Sequence, residues 1–243
     1  MRIKTLLAAA ALVTTAALPS ISYADVAYNV GVVTDYRYRG ISQTRLKPAL
    51  QGGVDWSDGP FYVGAWASTI KWIKDAGGGA NLELDLYGGY KGEIAKDVGF
   101  DVGYLRYEYV GNKLGNVPGF ANANTDELYG ALTFGPVTAK YSHSVSNLFG
   151  FVNSKNSGYL DISATFDLGD GWSLTPHIGH QRVKNNGAFS YTDYAITATK
   201  DLGNGLSASV GLVGTDADKA LYVTPSGKFT GKNAVVAGLK YSF

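Results

Sequence analysis

Alternating side chains are the feature of this sequence that most restricts its fold. After about residue 25, apolar residues alternate with small or polar ones along nearly every segment, as in the run Leu-Glu-Leu-Asp-Leu at 82–86. A repeat of two residues is typical of β-strands whose two faces meet different surroundings. The pattern predicts an all-β fold of about twelve antiparallel strands, within limits of roughly 10 and 14. The predicted strands lie at 27–39, 48–57, 61–71, 81–91, 97–109, 125–135, 137–147, 157–167, 171–182, 191–201, 205–215 and 232–243.

The predicted connections alternate between short and long. The short ones hold turn-forming residues, as at 57–59, 135–136, 168–171 and 202–205. The long ones, notably 110–124 and 216–231, are rich in glycine, asparagine and lysine. This alternation is typical of a transmembrane antiparallel up-and-down β-barrel in a bacterial outer membrane, with short periplasmic turns and longer extracellular loops.

The two strand faces differ enough to predict which one meets lipid. The polar face has too many charges for the packed interior of a soluble barrel, so we expect it to line the lumen while the apolar face contacts lipid. The outer face of the strand at 61–71 is left unassigned, because Tyr62 and Trp66 lie opposite Val63 and Ala65. Aromatic girdles are expected near the short turns at Trp56, Phe134, Phe166, Trp172 and Phe243, and near the long loops at Tyr36, Tyr38, Tyr104, Tyr141 and Tyr194.

The N-terminal residues predict export. Arg2 and Lys4 precede an apolar run at 6–18, and Ser22-Tyr23-Ala24 places small residues where a signal peptidase cuts. We therefore expect a signal peptide at 1–24, cleavage after Ala24, and one barrel domain at 25–243. The mature chain has 21 − 2 = 19 basic and 20 acidic residues and no cysteine, which argues against a nucleic-acid partner and against disulfides.

The C-terminal strand ends in an aromatic residue. Leu239, Tyr241 and Phe243 share one face of an alternating run that closes the chain. Such an ending looks like the assembly signal that the barrel-assembly machinery of outer membranes reads, so Tyr241 and Phe243 are the expected recognition residues and that machinery an expected partner.

The predicted inner face combines acidic and basic residues. Opposed charges in a narrow barrel are compatible with a selective water-filled path or with a salt-bridged plug, and the sequence leaves both open. Twelve strands enclose too little room for a wide pore. The lumen-lining residues singled out are Asp35, Arg37, Arg39, Asp55, Glu83, Asp85, Glu127, Lys140, Asp161, His177 and Lys240; Asp101, Asp193 and Lys91 share that face.

No enzymatic motif is present in the sequence. His143 falls on the predicted outer face, while His177 points inward, three residues from His180 and therefore on the opposite face. We accordingly expect no catalytic residue, no metal site and no cofactor. A lipid-modifying enzyme that uses His143 or His177 is the less favoured alternative.

Several blocks resemble the TorF family of porin-like proteins from proteobacteria. The first is the stretch Asp-Tyr-Arg-Tyr-Arg-Gly-Ile-Ser-Gln-Thr at 35–44 with Gln-Gly-Gly at 51–53, and weaker ones lie at 61–68, 83–90, 190–194 and 241–243. The resemblance covers the mature chain. It implies an outer-membrane barrel with pore activity, and it brings no catalytic residues.

These observations together predict a narrow porin-like channel for passive passage of ions or small solutes. The alternative is a plugged structural barrel that displays its loops to partners. The predicted loops and their flanks are basic, and lipopolysaccharide phosphates are an expected contact for them. These basic residues are Arg45, Lys47, Lys71, Lys74, Lys113, Lys155, Arg182, Lys184, Lys219, Lys228 and Lys232.

Overall fold

A computed structural model describes residues 25–243, and the predicted signal peptide lies outside the described residues. In the described part, the strands are β1 Asp25–Val33, β2 Arg37–Tyr38, β3 Ile41–Ser42, β4 Ala49–Asp58, β5 Phe61–Thr69, β6 Leu82–Ala95, β7 Val98–Tyr109, β8 Thr125–Phe134, β9 Val137–Ser144, β10 Gly158–Ala164, β11 Phe166–Gly169, β12 Trp172–Arg182, β13 Tyr191–Gly203, β14 Leu206–Thr215 and β15 Ala234–Ser242. A single-turn helix, α1 (Trp72–Asp75), and two 3-10 turns (Leu114–Asn116 and Gly187–Phe189) lie in loops.

All strands except β2 and β3 form one antiparallel sheet that closes on itself. β10 and β11 follow each other along the wall with a break at Thr165, so the wall has twelve strands. Closure comes from pairing of β1 with β15, where Asn29 lies opposite Ser242 and Val33 opposite Gly238. A closed ring leaves no unpaired strand edge. The predicted twelve-stranded barrel is confirmed.

The two ends of the barrel differ in their connections. At the short-turn end, five hairpins have two residues each between their strands, at 59–60, 96–97, 135–136, 170–171 and 204–205. Asn204 and Gly205 both have positive φ, as a tight hairpin turn requires. At the long-loop end, the connections are 34–48, 70–81, 110–124, 145–157, 183–190 and 216–233. The predicted alternation of short turns and long loops is therefore confirmed.

The outer surface of the wall is apolar. Along β14, for example, Val210 and Leu212 are exposed on the outside while Ser209 and Gly211 face inward. The strand whose faces the sequence left open is β5, and its Phe61 and Val63 are exposed outside while Tyr62 and Trp66 point inward. The aromatic residues expected near the short turns are all exposed there: Trp56, Phe134, Phe166, Trp172 and Phe243.

Across residues 25–243, no helix has both the length and the apolar character needed to span a bilayer.

Candidate functional site

The first long connection folds into the barrel rather than away from it. We call residues 34–48 the inward loop; its strands β2 and β3 pair as a small hairpin separate from the wall sheet. Tyr36, Arg39 and Ile41 are buried in it. The sequence predicted that the first wall strand runs to residue 39, and this was wrong, because β1 ends at Val33.

Arg37 attaches the inward loop to the near side of the mouth. Its Nε donates to Asp35 Oδ2 at 2.6 Å. Its Nη1 donates to the backbone carbonyl oxygens of Gly40, Thr230 and Lys232 at 2.9, 3.0 and 3.1 Å. One guanidinium thus joins the hairpin to the long loop that precedes β15.

Arg39 attaches the tip of the hairpin to the opposite wall. Its Nη2 lies 2.7 Å from Glu127 Oε2 and 3.0 Å from Oε1, and its Nη1 donates to Gln181 Oε1 at 2.6 Å. Glu127 is on β8 and Gln181 on β12, which lie across the barrel from β1 in the strand order. The guanidinium carbon also lies 4.3 Å from the centre of the Tyr159 ring, a cation–π contact.

The charge on Arg39 is retained despite its burial. Removal from water by itself would lower the pKa of the guanidinium. The attraction of the Glu127 carboxylate outweighs that effect and holds the pKa of Arg39 above its ordinary value. The hairpin is therefore held to β8 by the ion pair between Arg39 and Glu127.

Two tyrosines of the inward loop contact the wall from β5 to β7. Tyr36 donates to Glu83 Oε1 at 2.6 Å and packs edge-on against Trp66. Tyr38 is hydrogen-bonded through its hydroxyl to that of Tyr107. The sequence placed Tyr36 and Tyr38 in an outer aromatic girdle, and this was wrong because both belong to a segment that leaves the wall. Tyr104, Tyr141 and Tyr194 are exposed on the outside.

One sector of the lumen, from β5 to β8, is densely packed. Many of its inward residues are large, and they form a cluster with the inward loop and with apolar residues of the loops at 70–81 and 110–124. Leu105, Tyr107 and Tyr129 are buried. The packed sector comprises these together with Trp66, Tyr87, Tyr109, Ile70, Ile73 and Leu114.

We call the opposite sector, from β13 through β15 to β1, the open sector, because most of its inward side chains are smaller than those of the packed sector. Tyr191, Asp193 and Gly211 are buried, and most of the other inward residues are half-buried. Hydroxyl groups are frequent among them. The open sector is lined by Ala195, Thr197, Thr199, Ser207, Ser209, Val236, Gly238, Lys240 and Asn29.

The predicted lumen-lining residues divide between the inward loop and the wall. Asp35, Arg37 and Arg39 belong to the inward loop, where Arg37 pairs with Asp35 and Arg39 with Glu127. Eight others sit at alternate positions of the wall strands that share a face with buried or half-buried residues: Asp55, Glu83, Asp85, Glu127, Lys140, Asp161, His177 and Lys240. Tyr241 and Phe243, the predicted assembly residues, are exposed on the outside.

Polar contacts inside the lumen join neighbouring strands and also strands further apart, such as β5 and β7. His177 Nε2 lies 2.7 Å from Asp161 Oδ2, and its Nδ1 lies 3.6 Å from Asp193 Oδ2. Tyr62 donates to Asp101 at 2.6 Å, and Lys140 Nζ lies 3.7 Å from the centre of the Tyr129 ring. Tyr129 and Gln181 were not predicted to line the lumen, although strand alternation around His177 places residue 181 on the same face.

Comparison with known proteins agrees with this architecture. The KdgM porin in complex with disordered oligogalacturonate has a similar fold, with a TM-score of 0.56, 6% identity, and coverage of 91% of this chain and 99% of that one. The NanC porin gives a TM-score of 0.55 at 10% identity, with coverage of 90% and 99%. At such low identity the similarity shows a shared fold alone.

No curated protein matches the sequence. A family model does match, over residues 17–243, and it describes bacterial proteins of unknown function. This match covers almost the entire chain, so the protein belongs to the Gcw_chp family.

Proposed function

We propose that this protein is a narrow passive channel for ions or small solutes in the outer membrane of a Gram-negative bacterium. The open sector supports the proposal best, because its small, half-buried hydroxyl side chains line space inside a closed barrel whose outer surface is apolar. Twelve strands enclose less room than the sixteen of a wide porin. The packed sector takes up part of that room, so the passage is narrow.

The proposed orientation follows from the two barrel ends. We place the short-turn end in the periplasm and the long loops outside, as in other outer-membrane barrels. Residues 1–24 would be the cleaved signal peptide and 25–243 the single barrel domain. The block at 35–44 that resembles the TorF family forms most of the inward loop, and we propose that TorF proteins share this loop.

Two partners are proposed on chemical grounds. The basic residues of the long loops suit the phosphates of lipopolysaccharide. Phe243 stacks on Tyr28 and Tyr241 with ring centres 5.7 and 5.4 Å away, at the seam where the barrel closes. An exposed aromatic ending at that seam suits recognition by the barrel-assembly machinery.

Single-channel recording tests the proposed function. Mature protein refolded into a planar bilayer should give discrete, reproducible conductance steps, and a salt gradient then reports ion selectivity. A barrel that inserts but conducts no current, even when the inward loop is released by substitution, would instead indicate a plugged structural barrel. Release of fatty acid from a labelled phospholipid, lost in His177→Ala, would indicate a lipid-modifying enzyme.

A further inference from the structure

We propose that the inward loop is a gate, closed in this structure, and that the Arg39–Glu127 ion pair is the contact that holds it shut. This inference rests on the proposed channel function. It assigns to Arg39, Glu127 and the hairpin of β2 and β3 a role in controlling passage.

The hairpin lies where the open sector reaches the long-loop end. Gly40 sits against the ends of β13 and β14, since a Cβ at this position would lie 2.4 Å from Thr215 Cγ2 and 2.7 Å from Asp193 Cβ. Ile41 packs in a cluster with Tyr191 and Ala217, which the loop residues Tyr222 and Phe229 cover. Solutes that follow the open sector therefore meet the hairpin at the mouth.

Side chains hold the tip of the hairpin, and backbone hydrogen bonds join its base to neighbouring loops, from Ser42 N to Thr230 O at 3.0 Å and from Lys71 N to Gln43 O at 2.8 Å. β2 and β3 pair only with each other, so no strand ladder joins them to the barrel. The contacts at its tip come from Arg39 and Tyr38, which reach Glu127, Gln181 and Tyr107. The contacts at the tip can be broken while the base stays attached and without opening any wall pairing, which suits an element that moves between two positions.

The backbone of the inward loop is strained in its closed position. Arg39, Arg45 and Leu46 have φ values of 46°, 59° and 62°, in the left-handed region that residues with side chains rarely occupy. Such conformations persist where surrounding contacts enforce them. The strain favours release of the loop once those contacts are lost, so closing depends on the contacts at the tip.

The ion pair is the strongest of these contacts because both partners are shielded from water. The side chains of Arg39 and Glu127 are 5% and 2% exposed. Removing one partner of such a pair leaves the other buried and uncompensated, which is strongly unfavourable. A substitution at either residue should therefore destabilise the closed position far more than a substitution in an exposed ion pair would.

A charge-swap experiment in the planar bilayer tests the gate. Arg39→Glu should increase the ratio of open to closed time about a hundredfold or more, because two carboxylates would then face each other. The double variant Arg39→Glu/Glu127→Arg should return the ratio close to that of the wild type. Arg106→Glu is the matched control, since Arg106 also pairs with carboxylates but on the outer surface of β7, and it should leave the ratio unchanged.

A reversible cross-link provides a second test that does not depend on how the charge-reversed barrel folds. The chain has no cysteine, so Arg39→Cys/Glu127→Cys carries the only two thiols. Without a linker this variant should be mostly open. A bifunctional linker that forms a disulfide with each of the two thiols should close it, and a reducing agent, which cleaves those disulfides, should open it again.

The possible results distinguish failure of the proposed gate from failure of the proposed channel function. If the wild type conducts and neither Arg39→Glu nor the cross-link changes the open time, the gate is wrong and the channel stands. If the wild type, the charge variants and the unlinked cysteine pair are all inserted and silent, the channel itself is wrong and the gate falls with it.

Discussion

Arg39 and Glu127 form a buried ion pair across the barrel, with Nη2 2.7 Å from Oε2, although the segment that carries Arg39 leaves the wall on the opposite side. The pair connects a loop to a wall strand 88 residues further along the chain. The loss of either partner is therefore expected to affect the stability of the folded barrel as well as the position of the loop.

Glu127→Gln should destabilise the barrel by about 3–5 kcal/mol, because it leaves the Arg39 charge buried without a counter-charge. Unfolding by urea in lipid vesicles measures this change. Arg39→Met/Glu127→Leu removes both charges and should recover most of the loss. A cost below about 1 kcal/mol for Glu127→Gln would show that the pair is solvated and contributes little.

Gly40→Ala should displace the inward loop, because Gly40 has a φ of 76° and an added Cβ would clash with Thr215 and Asp193. The expected result is rapid trypsin cleavage after Arg37, Arg39 or Arg45 in the folded barrel. Gly59→Ala is the control, since Gly59 has a φ of 54° but nothing within 4 Å of the added atom. Equal protection of the loop in both variants would contradict the tight fit at Gly40.

Neighbouring residues of β14 should respond differently to the same substitution. Val210 is 52% exposed on the outer surface, midway along its strand. Val210→Arg should cost about 2–4 kcal/mol of folding free energy in lipid vesicles, because it places a charge in the hydrocarbon. Val210→Ala should cost much less. If Val210→Arg is tolerated as well as Val210→Ala, β14 does not face lipid at this height.

Ser209 is adjacent to Val210 but faces the open sector. Ser209→Arg should leave the barrel folded and lower the single-channel conductance by roughly half or more, because a long charged side chain then occupies the passage. Thr133→Arg, on the inner face of β8 and away from the open sector, is the comparison and should have a smaller effect. Equal effects at the two positions would mean that the passage is not confined to the open sector.

Phe243→Ala should affect assembly in cells more than stability in vitro. Loss of the ring contacts with Tyr28 and Tyr241 is expected to cost about 0.5–1.5 kcal/mol per pair, measured by urea unfolding of the refolded protein. The amount of folded barrel in the outer membrane of expressing cells should fall far more than this small loss explains. A fall of the same small size in both assays would argue against a recognition role.

Most of the wall could be predicted from the sequence because the barrel repeats a single local rule. The alternation of residues assigns the two faces of each strand, and tight turns mark the hairpins. The positions of weakly patterned strands can therefore be inferred from those of their neighbours. Only the outer face of β5 could not be assigned, since Tyr62 and Trp66 are as apolar as the residues that face lipid.

The inward loop could not be predicted, because its side chains continue the same alternation beyond the end of β1. Tyr36 and Tyr38 alternate with Arg37 and Arg39, as a wall strand would require. What distinguishes the loop is long-range pairing, above all that of Arg39 with Glu127 and Gln181, and local pattern carries no information about such partners. Gly40, which has a positive φ in the structure, is the one local hint in the sequence.

The unequal filling of the lumen separates mechanical support from solute contact. Bulky residues of β5–β8 pack together and support the barrel wall on one side. The residues that a passing molecule would contact lie on β13–β15 and β1. Exchanges among serine, threonine and glycine at positions such as 197, 207 and 209 would change the width of the passage without disturbing the packed sector. In a barrel of this kind, evolution or protein engineering can change the solute that passes by small substitutions that leave the fold intact.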